Sequence, residues 1–328
     1  MHNTLLYCYC RNPTCTQPKV IKMSSYISRK AYSLYYRWRL LYDFIYRNVV
    51  HPPYVMTIQE TLQKIIADKC SLCRYGDGEI SCIYGADLNF QKHNDTLSSR
   101  LKEILKSNTT NVLIGLPRVF DSKWINEDNA VEKSFWKNHL LFTRHKWYRL
   151  LSHKTRYGNA LCSRFYSTDF DYDKSQETYS LWSQIWHKRN LIIIEGRDSK
   201  IGVGNNCFEG ATSIKRIIAP AKNSFVRYNE ILNAALHQDP NALYLIALGP
   251  TATVLAFDLA MSGRQALDIG HIDLEYEWLT RHTTAKTTIP GKFCNETFLT
   301  GGQKTEVEGE VPGEALSQYK SEIIVELD

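Results

Sequence analysis

Arg74-Tyr75-Gly76-Asp77-Gly78-Glu79 is the stretch of this chain best equipped for chemistry. Apolar residues flank it, Leu72 and Cys73 before and Ile80, Cys82, Ile83 and Tyr84 after, which predicts a turn from a strand into a helix. Asp77 and Glu79 supply two carboxylates one residue apart, beside the cation of Arg74. A hard divalent metal takes oxygen ligands of this kind and keeps positions open for water and phosphate oxygens. The D-x-E pair would therefore suit a metal-bound nucleotide diphosphate. Gly76 and Gly78 leave the backbone free to take φ > 0 and to lie close to a ligand. The same carboxylates also suit the first turn of any helix, where negative charge is favoured whether or not anything binds. Spacing alone leaves both readings open.

A second cluster lies almost two hundred residues on, at Gly270-His271-Ile272-Asp273-Leu274-Glu275-Tyr276-Glu277-Trp278. If extended, His271, Asp273, Glu275 and Glu277 share one face; if a helix starts there, His271 and Glu275 meet at i,i+4. Burying so many ionisable groups beside Ile269, Ile272 and Trp278 needs a metal, a cation or a polar substrate. A solvated acidic helix start is the plainer alternative.

These groups need a scaffold, and the pattern supplies one. Apolar runs at 191–194, 214–219, 243–248 and 266–269 recur with helical stretches between them. That alternation predicts an α/β fold with a parallel sheet and crossover helices. Ligands of such sheets bind beyond the carboxyl ends of the strands, and those junctions are polar and glycine-rich. Glu195-Gly196-Arg197 leads to Gly202-Val203-Gly204-Asn205; Pro220-Ala221-Lys222-Asn223-Ser224 combines a cation with a helix cap; Gly249-Pro250-Thr251-Ala252-Thr253 opens a helix that should stop near Gly263. A helix N-terminus with free N–H groups is an anion site. Gly202–Asn205 is not a GxGxxG, so a dinucleotide reading is weakly supported.

Earlier elements are also legible. Thr57-x-x-Glu60 is a capping box opening a helix with Ile58, Leu62, Ile65 and Ile66 on its buried side. Leu97, Leu101, Ile104 and Leu105 mark another helix, and Val112–Leu116 a strand ending at Pro117-Arg118. Residues 120–190 show no strong strand; their aromatics, Trp124, Phe135, Trp136, Trp147, Tyr148, Trp182 and Trp186, are expected in the core, although such a region can also stack on sugar rings.

The 328 residues carry a formal charge of +6, unevenly spread. Residues 1–50 hold eight Lys/Arg against one Asp and residues 301–328 two Lys against seven Asp/Glu, so the middle is near neutral, which argues against nucleic-acid binding. Three parts are expected: a basic extension over 1–50, a catalytic body over 51–300 and an acidic tail over 301–328. In the extension, Ile27, Ala31, Leu34, Trp38, Leu41 and Ile45 form a helical stripe among Arg29, Lys30, Arg37, Arg39, Arg47 and five tyrosines. Such a helix either docks on the body or lies on an anionic membrane. Nine cysteines without a dense framework, no signal peptide and no spanning segment fit reduced thiols in the cytoplasm. Cys70-x-x-Cys73 lacks a second pair at zinc spacing.

Taken together, Arg74–Glu79, Glu195-Gly196, Gly202–Asn205, Lys215-Arg216 with Pro220–Asn223, Leu248–Thr253, and Asp268–Asp273 with Glu275–Trp278 resemble the GT-D-type glycosyltransferases. That bacterial family was first known as a domain of unknown function. The resemblance covers about residues 57–298. It implies a Rossmann-like, mostly parallel sheet flanked by helices, a UDP-sugar donor (commonly UDP-glucose) and a divalent metal, Mn²⁺ or Mg²⁺. It maps the D-x-E onto Asp77 and Glu79 and places His271 at the metal and diphosphate. The acceptor would be a glycan, free or carried on protein or lipid. On the residues themselves, Arg74, Gly76, Gly204, Asn205, Lys222, Asn223, Gly249 and Thr251 are candidates for holding the donor, and Asp273 or Glu275 for a base on the acceptor hydroxyl. Two other classes stay open: a nicotinamide-dependent oxidoreductase using Gly202–Asn205, and a non-catalytic nucleotide-binding module. Residues 25–50 would offer peripheral contact with the inner membrane surface.

Overall fold

A computed structural model of the chain describes residues 7–8, 19–20, 26–121, 123, 130–293 and 311–327. Tyr7–Cys8 (β1) and Lys19–Val20 (β2) form a short antiparallel pair. Helix α1, Tyr26–Val49, precedes the body. The body then runs β3 Tyr54–Val55, α2 Ile58–Asp68, β4 Ser71–Arg74, α3 Asp77–Ile83, α4 Asp95–Leu105, β5 Val112–Leu116, α5 Ala130–Tyr148, β6 Arg156–Asn159 and α6 Tyr172–Trp186. It continues with β7 Asn190–Gly196, β8 Ser213–Ala219, α7 Tyr228–Leu236, β9 Leu243–Ala247, α8 Pro250–Met261, β10 Gln265–Asp268, α9 Ile272–Thr280, α10 Gly313–Glu322 and β11 Ile323–Glu326.

Nine of these strands form one sheet in the order β11-β8-β7-β9-β10-β4-β5-β6-β3, and every pairing in it is parallel. All nine therefore end on one edge. The central strands are apolar throughout because helices cover both faces: Leu191–Ile194 and Leu243–Ile246 are buried without a break. Helix α8 packs on β4, β9 and β10 and is buried nearly all round, which explains its lack of a polar face. From β4 the chain steps outward to β5 and β6, whereas from β7 it steps the other way to β8; β9 and β10 fill the interval. A reversal of this kind opens a crevice beyond the strand ends.

Local chemistry sets the element starts. The Thr57 hydroxyl accepts from Glu60 N at 3.1 Å while the Glu60 carboxylate accepts from Thr57 N at 2.8 Å, closing the expected capping box. Pro250 opens α8, which ends two residues before Gly263.

Two expectations are corrected. Residues 120–190 do contain a strand, β6, between β5 and β3. Only glycine fits within it at Gly158, where a Cβ would lie 2.8 Å from Leu113. The acidic C-terminal segment is not an appended tail in its described part: α10 packs on β8, and β11 extends the sheet beside it. Of the two placements left open for α1, docking on α5 is seen, with Leu34, Trp38, Leu41 and Ile45 of the stripe facing outward. Of the aromatics expected in the core, Trp136, Trp147, Tyr148, Trp182 and Trp186 are buried and Phe135 is partly exposed; Trp124 lies outside the described residues, as do 301–310.

Cys70, Cys73, Cys82, Cys162 and Cys207 are free and buried. Cys70 and Cys73 pack into clusters on opposite faces of the sheet, so the C-x-x-C does not converge. Burial pushes the Cys70 thiol up to about 11 and raises Cys73 well above its ordinary value, which removes the thiolate that redox or zinc chemistry needs.

Candidate functional site

β4 delivers the Arg74–Glu79 stretch to the carboxyl edge. Tyr75 is locked in the core, its backbone N–H on Gly115 O at 2.9 Å and its hydroxyl on Leu101 O at 2.7 Å. Gly76 caps α3, whose first turn carries Asp77 and Glu79. Gly76 has a φ of −125°, so the turn does not require the left-handed region. Its small size matters instead, because a Cβ would sit 3.3 Å from Glu79 Oε2. That oxygen accepts from Gly76 N at 2.7 Å. The Asp77 carboxylate has no hydrogen bond or ion pair among the described residues. Its charge acts on His139 of α5, whose Nε2 takes the Trp147 indole N–H at 3.3 Å. Burial pulls His139 down to about 4, so it is neutral at pH 7.

β10 brings the second half. Asp268 at its end lies 3.4 Å from Arg74 Nη1, and Arg74 Nε donates to Ala160 O at 2.7 Å. The Thr253 hydroxyl lies 2.8 Å from Arg74 O and 3.3 Å from Asp268 Oδ2, and Gly270 N donates to Asp268 Oδ1 at 3.2 Å. Gly270 has φ +52°, and a Cβ there would stand 2.5 Å from Arg74 Nη1. Gly270→Ala should therefore displace the guanidinium and destabilise the fold by more than 1 kcal/mol, the order of magnitude for strained backbone. A melting curve matching wild type would show that Arg74 is not held there. Burial, then repulsion from Asp268, raises the Glu79 carboxyl to about 7. Asp268 is itself raised by burial, against the pull of Arg74.

The segment after Gly270 is a helix start, not an extended strand. His271 sits at the N-cap of α9 without making a cap bond. Burial lowers its pKa; Asp273 opposes this, while Arg164 and Arg74 reinforce it. Two linked sets of charges result: Arg74 and Arg164 act on His271, while Asp268, paired with Arg74, and Asp77 act on Glu79.

Several expected site residues are used otherwise. Asp273 is 1% exposed, holding Lys292 Nζ at 2.7 Å and Gly202 N at 3.2 Å. Glu275 is 2% exposed and accepts from Tyr166 N at 2.9 Å, Ser167 N at 2.7 Å and the Ser167 hydroxyl at 2.6 Å. Both carboxylates pin loops to α9, so neither presents itself to an acceptor hydroxyl. Asn205 donates to Glu277 Oε1 at 2.7 Å, and Gly204, at φ +75°, lies under Val311 and Pro312. Gly202 N and the Asn205 amide are thus committed to carboxylates of α9 while Gly204 stays exposed, which leaves the oxidoreductase reading without a dinucleotide-binding turn. Asn223 joins the 90–92 loop through Phe90 O at 2.8 Å and Lys92 N at 2.7 Å. Phe90 also crowds Gly249, where a Cβ would meet it at 2.5 Å. Thr251 is buried and accepts from the Ser224 hydroxyl at 3.1 Å; Lys222 is exposed.

Asp268, Thr253, Arg164 and His139 were not singled out from the sequence. Asp268 and Thr253 lie inside motifs at strand ends, and that position was their signal. His139 lies on an aromatic-rich helix and nothing in its neighbours marks it.

Among the described residues no three His, Cys, Asp or Glu side chains form a group able to hold a metal, so His271 does not complete a set with Asp77 and Glu79. The two carboxylates still fit a hard divalent cation. Asp77 is uncommitted, Glu79 keeps one oxygen beyond its cap, and their crowding with Asp268 is relieved by positive charge. Such an ion takes its other ligands from phosphate and water.

A sequence profile described as the glycosyltransferase GT-D fold matches residues 72–297. A Streptococcus gordonii protein named probable glycosyl transferase Gly is 36% identical over 245 residues, 74% of this chain and 35% of its own length. The glycosyltransferase GlyD of Streptococcus pneumoniae is 35% identical over 243 residues, 74% of this chain and 30% of its own length. The chain thus spans about a third of the length of these curated relatives. A solved structure, described as showing that domain of unknown function 1792 has a distinct glycosyltransferase fold, superposes with a TM-score of 0.79 at 34% identity, over 87% of this chain and 100% of its own. Another, described as a new glycosyltransferase from Streptococcus sanguinis, gives 0.78 at 32% identity, over 84% and 100%.

Proposed function

Because this chain belongs to the glycosyltransferase GT-D-fold family, we propose that it moves a hexosyl group, glucosyl first among candidates, from a UDP-sugar to a glycan acceptor. The acceptor is a hydroxyl of a glycan, either free or carried on protein or lipid. One observation carries the reading: among the described residues the Asp77 carboxylate is uncommitted, while Glu79 is crowded by Asp268, which holds Arg74 across the neighbouring strand ends.

As the bond from the anomeric carbon to the diphosphate breaks, negative charge builds on the leaving UDP. A divalent cation, Mn²⁺ or Mg²⁺, held by Asp77 and Glu79 would neutralise part of that charge. Arg74 is fixed by Ala160 O and Asp268, so its remaining N–H groups are pre-aligned for phosphate oxygens at little reorganisation cost. His271, neutral at pH 7, can donate one ring N–H to the same oxygens. With Asp273 and Glu275 committed inside the protein, no base is assigned to them. Asn205, Lys222, Asn223, Gly249 and Thr251 act at most as supports of the loops that line the donor.

Calorimetric titration of UDP with and without Mn²⁺, beside transfer from labelled UDP-sugars, tests this. Binding should need the metal. Metal-ligating Glu79 must be ionised, so raising its pKa weakens metal binding on the acid side. Apparent Mn²⁺ affinity should fall about tenfold for each pH unit below about 7 and level off above it. Glu79→Gln should lose that slope. UDP binding that is metal-independent and flat with pH would overturn the reading, and stabilisation by NAD alone would restore the oxidoreductase class.

A further inference from the structure

Helix α1 has two faces, and the body uses only one. On the inner face Arg39 donates to Leu141 O, Arg144 Nε meets Asp43 Oδ1 at 2.7 Å, and the rings of Tyr36 and Tyr46 lie against Phe142 and Tyr148. The apolar stripe points the other way. Leu34 is 72% exposed, Trp38 54%, Leu41 58% and Ile45 52%, and Val49 continues the line. Tyr35, Leu40 and Phe44 are also exposed. The stripe from Leu34 to Val49 runs about 22 Å along the helix, at the usual rise per residue.

We propose that this face seats α1 on an anionic lipid surface, with the helix lying in the plane of the bilayer. Charge selects the occupant. Asp43 is the only acid between Tyr26 and Val49, and it is consumed by Arg144 on the inner side. The charges left outward are cations: Arg37 and Arg47 are both exposed, Arg37 flanking the stripe and Arg47 beside the ring of exposed Phe44. A second copy of this helix would bring like charges together, and residues 1–25 are themselves basic, with Arg11, Lys19 and Lys22 and no acid. Anionic headgroups complement the cations while acyl chains take Leu34, Leu41 and Ile45, and Trp38 suits the boundary between them. No described helix is long and apolar enough to cross a membrane, so α1 lies on the surface. The proposal does not depend on the donor or the transfer chemistry.

Sedimentation of the full chain with vesicles tests it, comparing phosphatidylcholine alone with phosphatidylcholine plus phosphatidylglycerol. The protein should pellet with the anionic vesicles and not the neutral ones, and added salt should release it. Arg37→Gln and Arg47→Gln should each weaken binding about fivefold, the effect of one surface cation. Leu34→Glu with Leu41→Glu should weaken it more than tenfold without changing the melting curve, whereas Met261→Glu, an exposed apolar site at the end of α8, should leave it unchanged. Failure of the wild-type chain to pellet overturns the proposal. So does equal pelleting with neutral vesicles, or a dimer in sedimentation velocity that Leu41→Glu dissociates.

Discussion

Asp77→Asn should leave the protein folded and lower transfer by about two to four orders of magnitude, the several kcal/mol that metal stabilisation of a leaving group supplies. The substitution keeps the side chain's size and removes one charge. No hydrogen bond or ion pair in the described structure leans on that charge, and the Asp77 backbone carbonyl still receives the Ser81 hydroxyl at 2.6 Å. Stability should therefore change by less than about 0.5 kcal/mol, as for a surface position. His139 gives a second readout. The Asp77 charge is what opposes the fall of its pKa, so the variant's His139 should titrate lower still, visible in imidazole NMR shifts. Measured transfer, Mn²⁺-dependent UDP binding and melting should part company: the first two lost, the third kept. Wild-type transfer by folded Asp77→Asn would take the site away from α3 altogether.

The Arg74–Glu79 turn was legible because it rests on local rules, a strand end followed by an acidic helix start. The parallel sheet was legible for the same reason, since doubly covered strands read as unbroken apolar runs. β6 was not, because Arg156-Tyr157-Gly158-Asn159 has no apolar alternation; contact with Leu113 dictates Gly158. Nor was the use of Asp273 and Glu275. A carboxylate at a strand end looks alike whether it meets a substrate or pins a loop, and Lys292 and Ser167 decide which. The stripe on α1 was found, but which way it faces was left open. Periodicity shows that a helix has an apolar face, while the inward face was chosen by Arg39, Asp43 and Arg144, whose pairing across α1 and α5 no local pattern shows.

Arg216→Ala should cost about 3–5 kcal/mol of stability, the loss seen when one member of a buried ion pair is removed. Arg216 lies on β8 and is 2% exposed. Its Nη1 donates to Glu195 at 2.7 Å and to Ile201 O at 2.8 Å, its Nε to Glu322 at 2.6 Å, and the Tyr319 ring stands 5.1 Å from the guanidinium carbon. Glu195 is fully buried, and burial raises its carboxyl against the pull of Arg216. Without the guanidinium, Glu195 keeps only the Ile201 N–H at 2.6 Å and must take up a proton or stay charged in the core. Glu322 belongs to α10, so the same guanidinium ties the C-terminal helix to the sheet. The variant should melt on the order of 5–10 °C lower, and exchange of amide protons in β11 should rise to match. Glu322→Gln, which keeps a neutral acceptor beside Arg216 and leaves Glu195 paired, should cost about 1 kcal/mol. Equal losses for the two variants would mean that Arg216 acts through α10 alone and that the buried pair with Glu195 contributes nothing.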